Sequence, residues 1–224
     1  MILKLSNERM NHLTPPDGKG LTSPVRWAGI ALAGVAFLSG CGAPKPIKYY
    51  QLTNPPTTTI TATQAPMKIT LLVREFQTSH LYRDDRIVYG SDAQELGVYE
   101  TKRWAEPPVE LLQDALSRGF RSSGNFLSVA KLRTDSSAEF MMVGHIYDFR
   151  EVSGSGVIAR LNFEVELRDV RKGKIVWTHV YKHDEAVAGK GINDVVAAMD
   201  KNVQRSVQEI QEGMIAALNS YGVK

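Results

Sequence analysis

The chain has 224 residues, 43% of them hydrophobic and 23% charged, with a formal net charge of +3 and one cysteine. One cysteine excludes an internal disulfide and any zinc site built on cysteine and histidine pairs. So small a surplus of positive charge is no evidence for nucleic-acid binding, which would want a strong basic patch, while the length suffices for one domain with a full core.

The N-terminal region reads as an export signal. Lys19 and Arg26 precede an apolar run over residues 27–38, which ends in Leu38-Ser39-Gly40-Cys41. A basic start, about a dozen apolar residues and small residues before a cut site make a secretory leader. The run is shorter than the about 20 apolar residues of a membrane span, and Gly29, Gly34 and Gly40 weaken it as a soluble helix. The four residues ending at Cys41 resemble the lipobox of bacterial lipoproteins. Cleavage before Cys41 is expected, with a diacylglycerol on its thiol and an acyl chain on its new amino group. Each buried methylene contributes about 0.8 kcal/mol, so several chains hold a protein firmly on a bilayer. An Asp after the cysteine resembles an inner-membrane retention signal; Gly42 stands there instead, which points to the periplasmic face of the outer membrane. Met10 offers an alternative start. Lys4, Arg9, Lys19 and Arg26 leave with the leader, so the mature chain is nearly neutral.

Residues 1–40 are thus expected as the signal peptide, 41–66 as a lipidated Pro/Thr-rich tether and 67–224 as the folded domain. Pro44, Pro46, Pro55, Pro56 and Pro66, with the threonine-rich stretch 57–63, disfavour helix in the tether. Tyr49-Tyr50-Gln51-Leu52 interrupts it and is expected to dock on the domain as a short strand. Residues 67–75 read as a strand buried at its centre. Arg83-Asp84-Asp85-Arg86 reads as a charged turn, and residues 87–89 and 96–99 as short strands about Gly90-Ser91-Asp92. Pro107 and Pro108 suit a helix start, Val109, Leu112, Ala115, Leu116 and Phe120 fall at helical spacing, and Gly119 and Gly124 mark the exit. Residues 125–130 read as a strand.

The pattern is clearest beyond residue 138. Residues 139–150, 157–170 and 174–183 read as three consecutive strands, with turns at Gly154-Ser155-Gly156 and Lys172-Gly173. Leu161, Phe163, Val165 and Leu167 alternate with Asn162, Glu164, Glu166 and Arg168, the signature of an antiparallel strand with one wet face. Residues 192–219 read as a long amphipathic helix with an apolar stripe through Ile192, Val195, Val196, Met199, Val203, Val207, Ile210, Met214 and Leu218. Its expected wet face holds Lys201, Gln204, Arg205, Gln208, Gln211 and Glu212. Strands and helices around one core, with a C-terminal meander, imply an α/β or α+β domain with a mixed sheet.

Chemistry is sparse. His179 and His183 on a strand stand about 13 Å apart, too far to share a metal without a third element. Asp84 and Asp85, flanked by arginines, lack the asymmetry that splits two carboxylate pKa values for acid/base work. No nucleophile elbow, phosphate-binding loop or metalloprotease helix occurs in the sequence. Trp104, between Arg103 and Glu106, either staples the helix entrance against the sheet or anchors a partner, since Trp and Arg are enriched at hot spots.

Several strings together resemble the ABC-type transport auxiliary lipoproteins, the PqiC-like family. They are the lipobox at Cys41, Tyr49-Tyr50-Gln51-Leu52, Leu81-Tyr82-Arg83-Asp84 with Ile87-Val88-Tyr89, and Arg103-Trp104-Ala105-Glu106-Pro107. The order of meander and closing helix agrees as well. Pro108 stands where the family is expected to have leucine, and the lead before the lipobox is long.

The resemblance implies a single α/β domain with a mixed sheet of about five strands, an antiparallel C-terminal meander and two or three helices. It also implies a non-enzymatic partner of an ATPase, a permease and an MCE-type substrate-binding protein that move lipid between two membranes. A homo-oligomeric ring would suit that role. Cys41 is then the lipidation site, and Tyr49, Tyr50, Arg103, Trp104 and Glu106 are the expected partner-binding residues. No metal, no cofactor beyond the covalent lipid and no nucleic acid is expected. Two other readings stay open: an assembly or chaperone lipoprotein for lipopolysaccharide or β-barrel components, and a periplasmic hydrolase using Asp84, His145 or His179.

Overall fold

The computed structural model describes residues 45–53, 67–91, 95–131 and 138–223. The leader, the lipobox with Cys41 and the threonine-rich part of the tether lie outside them. Among the described residues, nine strands form one sheet. Its organising element is β7 (Phe140–Ser153), 14 residues long. Three shorter strands pair in succession along one edge of β7, all parallel to it. They are β2 (Met67–Val73) at Phe140 to Met142, β3 (Gln77–Thr78) at His145 and Ile146, and β4 (Arg86–Gly90) at Glu151 and Val152. Along its other edge β7 pairs antiparallel with β8 (Val157–Asp169), which pairs antiparallel with β9 (Lys174–Ala186). Beyond β4 lie β5 (Leu96–Trp104) and the edge strand β1 (Lys48–Tyr50); beyond β2 lies β6 (Phe126–Lys131). A single 3-10 turn, His80–Tyr82, leads into β4. Register breaks within the β7–β8 and β8–β9 ladders add local twist, and the sheet curls.

Two helices cover the inner face. Helix α1 (Pro108–Ser122) begins on Pro108 at its first turn, where a missing N–H costs nothing. Helix α2 (Ile192–Ser220) crosses β8 and β9. The core between them holds Ala159, Leu161, Phe163, Val165 and Leu167 of β8, Phe120 of α1 and Ile210, Met214 and Leu218 of α2, all inaccessible to solvent. Gly119 lets α1 approach α2 closely, because a Cβ there would overlap Val207.

The α/β single-domain expectation and the mixed sheet hold, and the strand count is larger than expected. β3 is too short to read from pattern, while the short docking strand expected at residues 49–52 is β1, one residue earlier in its start. β5 runs on through Arg103 and Trp104 instead of stopping at Tyr99. Gln211, expected on the wet face of α2, is buried at 5% exposure. The apolar stripe is also widened by Asn202 and Ser206, both fully buried. Asn202 earns its place through hydrogen bonds: its Nδ2 donates to the carbonyls of Ala159 and His183, each at 3.0 Å, and its Oδ1 accepts from the Tyr181 hydroxyl at 2.7 Å.

Candidate functional site

Three of the strings singled out in the sequence converge at one end of the sheet. β1 adds parallel to β5 with Lys48 opposite Lys102, Tyr49 opposite Arg103 and Tyr50 opposite Trp104. The ladder continues past Trp104, where the Ala105 N–H donates to the Tyr50 carbonyl at 2.6 Å. On the other side of β5, Arg103 faces Arg86 of β4. Two guanidinium groups opposite each other repel, and the turn before β4 supplies the compensation. Asp84 accepts from the Arg86 backbone N–H and from its guanidinium at 2.9 to 3.1 Å. Asp85 accepts from Arg103 at 2.5 Å. The Asp85 carbonyl also takes the Trp104 N–H at 2.6 Å. The Arg86 hydrogen bonds hold the Asp84 carboxyl below its usual range. Both carboxylates are therefore counter-charges to the arginines.

The expected partner-binding residues divide by exposure. Tyr49 is 62% exposed on the sheet edge. Tyr50 is half-buried, and Arg103 is partly exposed beside its aspartate. Glu106 is exposed just before the Pro-Pro helix start. Trp104 departs from the hot-spot expectation: it is 1% exposed and packs edge-to-face on Phe149 at 5.5 Å. It staples the sheet to the helix entrance and offers a partner no surface. Its indole N–H finds no hydrogen-bond partner among the described residues, a cost of about 1–3 kcal/mol that the ring's burial must offset. Tyr82 is buried behind the same turn, and burial, with Asp148 nearby, pushes its phenol up to about 12.

The docking of the tether goes one step further than the sequence suggested. Leu52 is buried, and the Thr53 N–H donates to Asp200 of α2 at 3.0 Å while its hydroxyl bonds the same carboxylate. Gln204 donates to the Thr53 hydroxyl at 3.2 Å. Residues 48–53 thus bridge the sheet edge to the long helix. No local pattern marks Thr53 or Asp200, whose pairing spans 147 positions.

The remaining titratable candidates do not assemble into a catalytic set. His179 pairs with Glu209 at 2.7 Å and stacks on Trp177, and His183 pairs with Glu185 at 3.2 Å. The His179 pair joins β9 to α2, whereas the His183 pair lies within β9. Glu185 also takes Lys201 and Arg205. His145 stacks on Tyr147 at 4.6 Å. It lines a groove of about 370 Å³ on the solvent face of the meander, with Arg74, Glu75, Met141, Glu164 and Arg168. Glu164 there is held by the Tyr147 hydroxyl at 2.8 Å, and Arg168 by Glu166 at 2.9 Å. Among the described residues no three His, Cys, Asp or Glu side chains could hold a metal ion, and no helix is long and apolar enough to cross a membrane.

The architecture is shared with known proteins. A crystal structure of protein XCC0632 from Xanthomonas campestris, of family DUF330, superposes with a TM-score of 0.67 at 18% identity, covering 78% of this chain and 99% of that one. A second crystal structure, of an uncharacterized protein, gives 0.61 at 17% identity over 76% and 99%. At these identities the likeness is one of fold. No curated protein matches the sequence. Residues 50–211 match the family described as ABC-type transport auxiliary lipoprotein component. That span holds the Tyr50 end of β1, the charged turn, the Trp104 string and most of α2, so the chain belongs to the ABC-type transport auxiliary lipoprotein family.

Proposed function

We propose that this protein is a non-enzymatic auxiliary component of an MCE-type lipid transport system, held at the periplasmic face of the outer membrane by acyl chains on Cys41. The observation that carries the reading is the conjunction of the family match over residues 50–211 with a lipobox that ends nine residues before it. The site supports a gripping role over a chemical one. Asp84 and Asp85 are matched into ion pairs with Arg86 and Arg103 at this end of the sheet, while Arg103 and Glu106 keep access to solvent beside the stapled Trp104. A partner would meet a preformed surface there, which lowers the ordering cost of binding.

Affinity capture of the acylated protein from solubilised envelopes tests this reading. An MCE-domain protein, with its permease and ATPase, is expected among the recovered partners. The Cys41→Ala protein is expected in the soluble fraction without them. Repeated recovery of unrelated proteins only, or equal recovery with Cys41→Ala, overturns the proposal.

A further inference from the structure

We propose that β1 and the residues leading into it, Lys45, Ile47, Lys48 and Tyr49, form a patch that rests on the phospholipid bilayer and fixes which end of the domain faces it. The inference rests on the acylation at Cys41 proposed above. Six residues separate Cys41 from Lys48, and the seven residue-to-residue steps span at most about 25 Å when fully extended. A domain of this size is about 40 Å across. The link is therefore shorter than the domain, and reaching the bilayer with the opposite pole would take about 60 Å of chain wrapped around half its circumference. The link also has no slack at its folded end. β1 is bonded along β5, the Tyr50 carbonyl takes the Ala105 N–H, Leu52 is buried and Thr53 is tied to Asp200.

The side chains at that pivot suit a lipid surface. Ile47 and Tyr49 are 48% and 62% exposed, an aliphatic and an aromatic side chain of the kind that enters the headgroup region. Lys45 and Lys48 are exposed and have no ion-pair partner among the described residues, so they are free to meet phosphate groups while their stems lie on the apolar layer. The carboxylates nearest in the turn, Asp84 and Asp85, are occupied by Arg86 and Arg103 and do not compete for those lysines. β1 is the outermost strand at its end of the sheet. A bilayer covers that edge without presenting another chain to pair with it.

The test uses the full-length acylated protein on vesicles of phosphatidylethanolamine and phosphatidylglycerol. Because the Cys41 thiol is acylated, an environment-sensitive fluorophore can be placed on a new cysteine alone: Tyr49→Cys, Ile47→Cys, or the control Lys182→Cys on β9. Lys182 lies five strands from β1, about 24 Å across the sheet. Nitroxide lipids are expected to quench the label at 47 and 49 at least threefold more than at 182. Acyl mass and flotation with vesicles, scored separately, report on the anchoring itself. Protein that is acylated and floats but shows equal quenching at 47, 49 and 182 overturns the patch and leaves the anchoring intact. Protein that carries no acyl group overturns the anchoring reading and this inference with it.

Discussion

At the scale of single residues, the side chain on which most depends is a polar one. Asn202 sits at a position where the helical stripe reads as interrupted, yet it is wholly buried and satisfies the carbonyls of Ala159 and His183 and the hydroxyl of Tyr181. Sequence pattern cannot find it, because its partners are 43, 19 and 21 positions away and amphipathicity scores an asparagine as wet. The alternating residues of β8 were legible for the opposite reason: one strand carries its own period, and Leu161, Phe163, Val165 and Leu167 are all at 0% exposure. Replacing Asn202 by alanine takes the side-chain donors from two carbonyls and leaves the Tyr181 hydroxyl only the backbone carbonyl of residue 202, at 3.1 Å. The expected loss is about 2–3 kcal/mol, seen as a lower denaturant midpoint at unchanged slope. Asn202→Asp is expected to lose at least as much near neutral pH, since a carboxylate would then face two carbonyl oxygens. A midpoint unchanged in both variants would show that the network contributes nothing.

At the scale of elements, helices and the meander were readable and the pairings along β7 were not. A strand's partners across a parallel sheet are non-local, and nothing in residues 140–153 announces that β2, β3 and β4 take turns along one edge. The same holds for β5. Its last three residues read as a prelude to the helix because the prolines follow, yet Trp104 is held in the sheet by the Asp85 carbonyl and by Phe149. The contact between helices α1 and α2 is likewise invisible locally: Gly119 reads as a helix exit and lies inside α1 against Val207. Gly119→Ala puts two effects in competition. Helix propensity favours alanine by up to about 1 kcal/mol. Overlap with a stiff β-branched neighbour costs about 1–3 kcal/mol. The overlap is expected to win, so Gly119→Ala should unfold at lower denaturant than the parent. Adding Val207→Ala should recover part of that loss, with a coupling of about 0.5–3 kcal/mol in the double-mutant cycle. A stabilised Gly119→Ala protein would mean that the helices separate at no cost.

At the scale of the whole molecule, the site was legible as a set of strings but not as a place. Tyr49, Asp85 and Arg103 were each singled out, and only the fold brings β1, the charged turn and β5 side by side. The same ion pairs that build this end, with those that fasten β9 to its neighbours, set the response to pH. Arg86 lowers the Asp84 carboxyl, the Lys172 backbone N–H lowers Asp169, Arg160 lowers Asp184, and Lys201 with His183 lowers Glu185. Each group binds its proton more weakly folded than unfolded. Their contribution is therefore complete above the unfolded carboxylate values, about 3.9 to 4.3, and is lost as pH falls through the lower folded values. At the alkaline end the sign reverses. Burial is the chief cause that raises Tyr82 to about 12 and also raises Tyr99 and Tyr181. Above about pH 10 the unfolded chain ionises these phenols while the folded one resists, so folding again loses ground. The urea midpoint is thus expected to stay level from about pH 6 to about pH 8, to fall below about pH 4 and to fall again above about pH 10. Glu185→Gln should flatten the acid limb, because it removes a depressed carboxyl, and should ease the alkaline one slightly, because the Glu185 charge is among the causes that raise Tyr181. A Glu185→Gln acid limb as steep as the parent's would assign the acid sensitivity to the other carboxylates, and a midpoint constant down to about pH 3 would remove these ion pairs as the source of stability altogether.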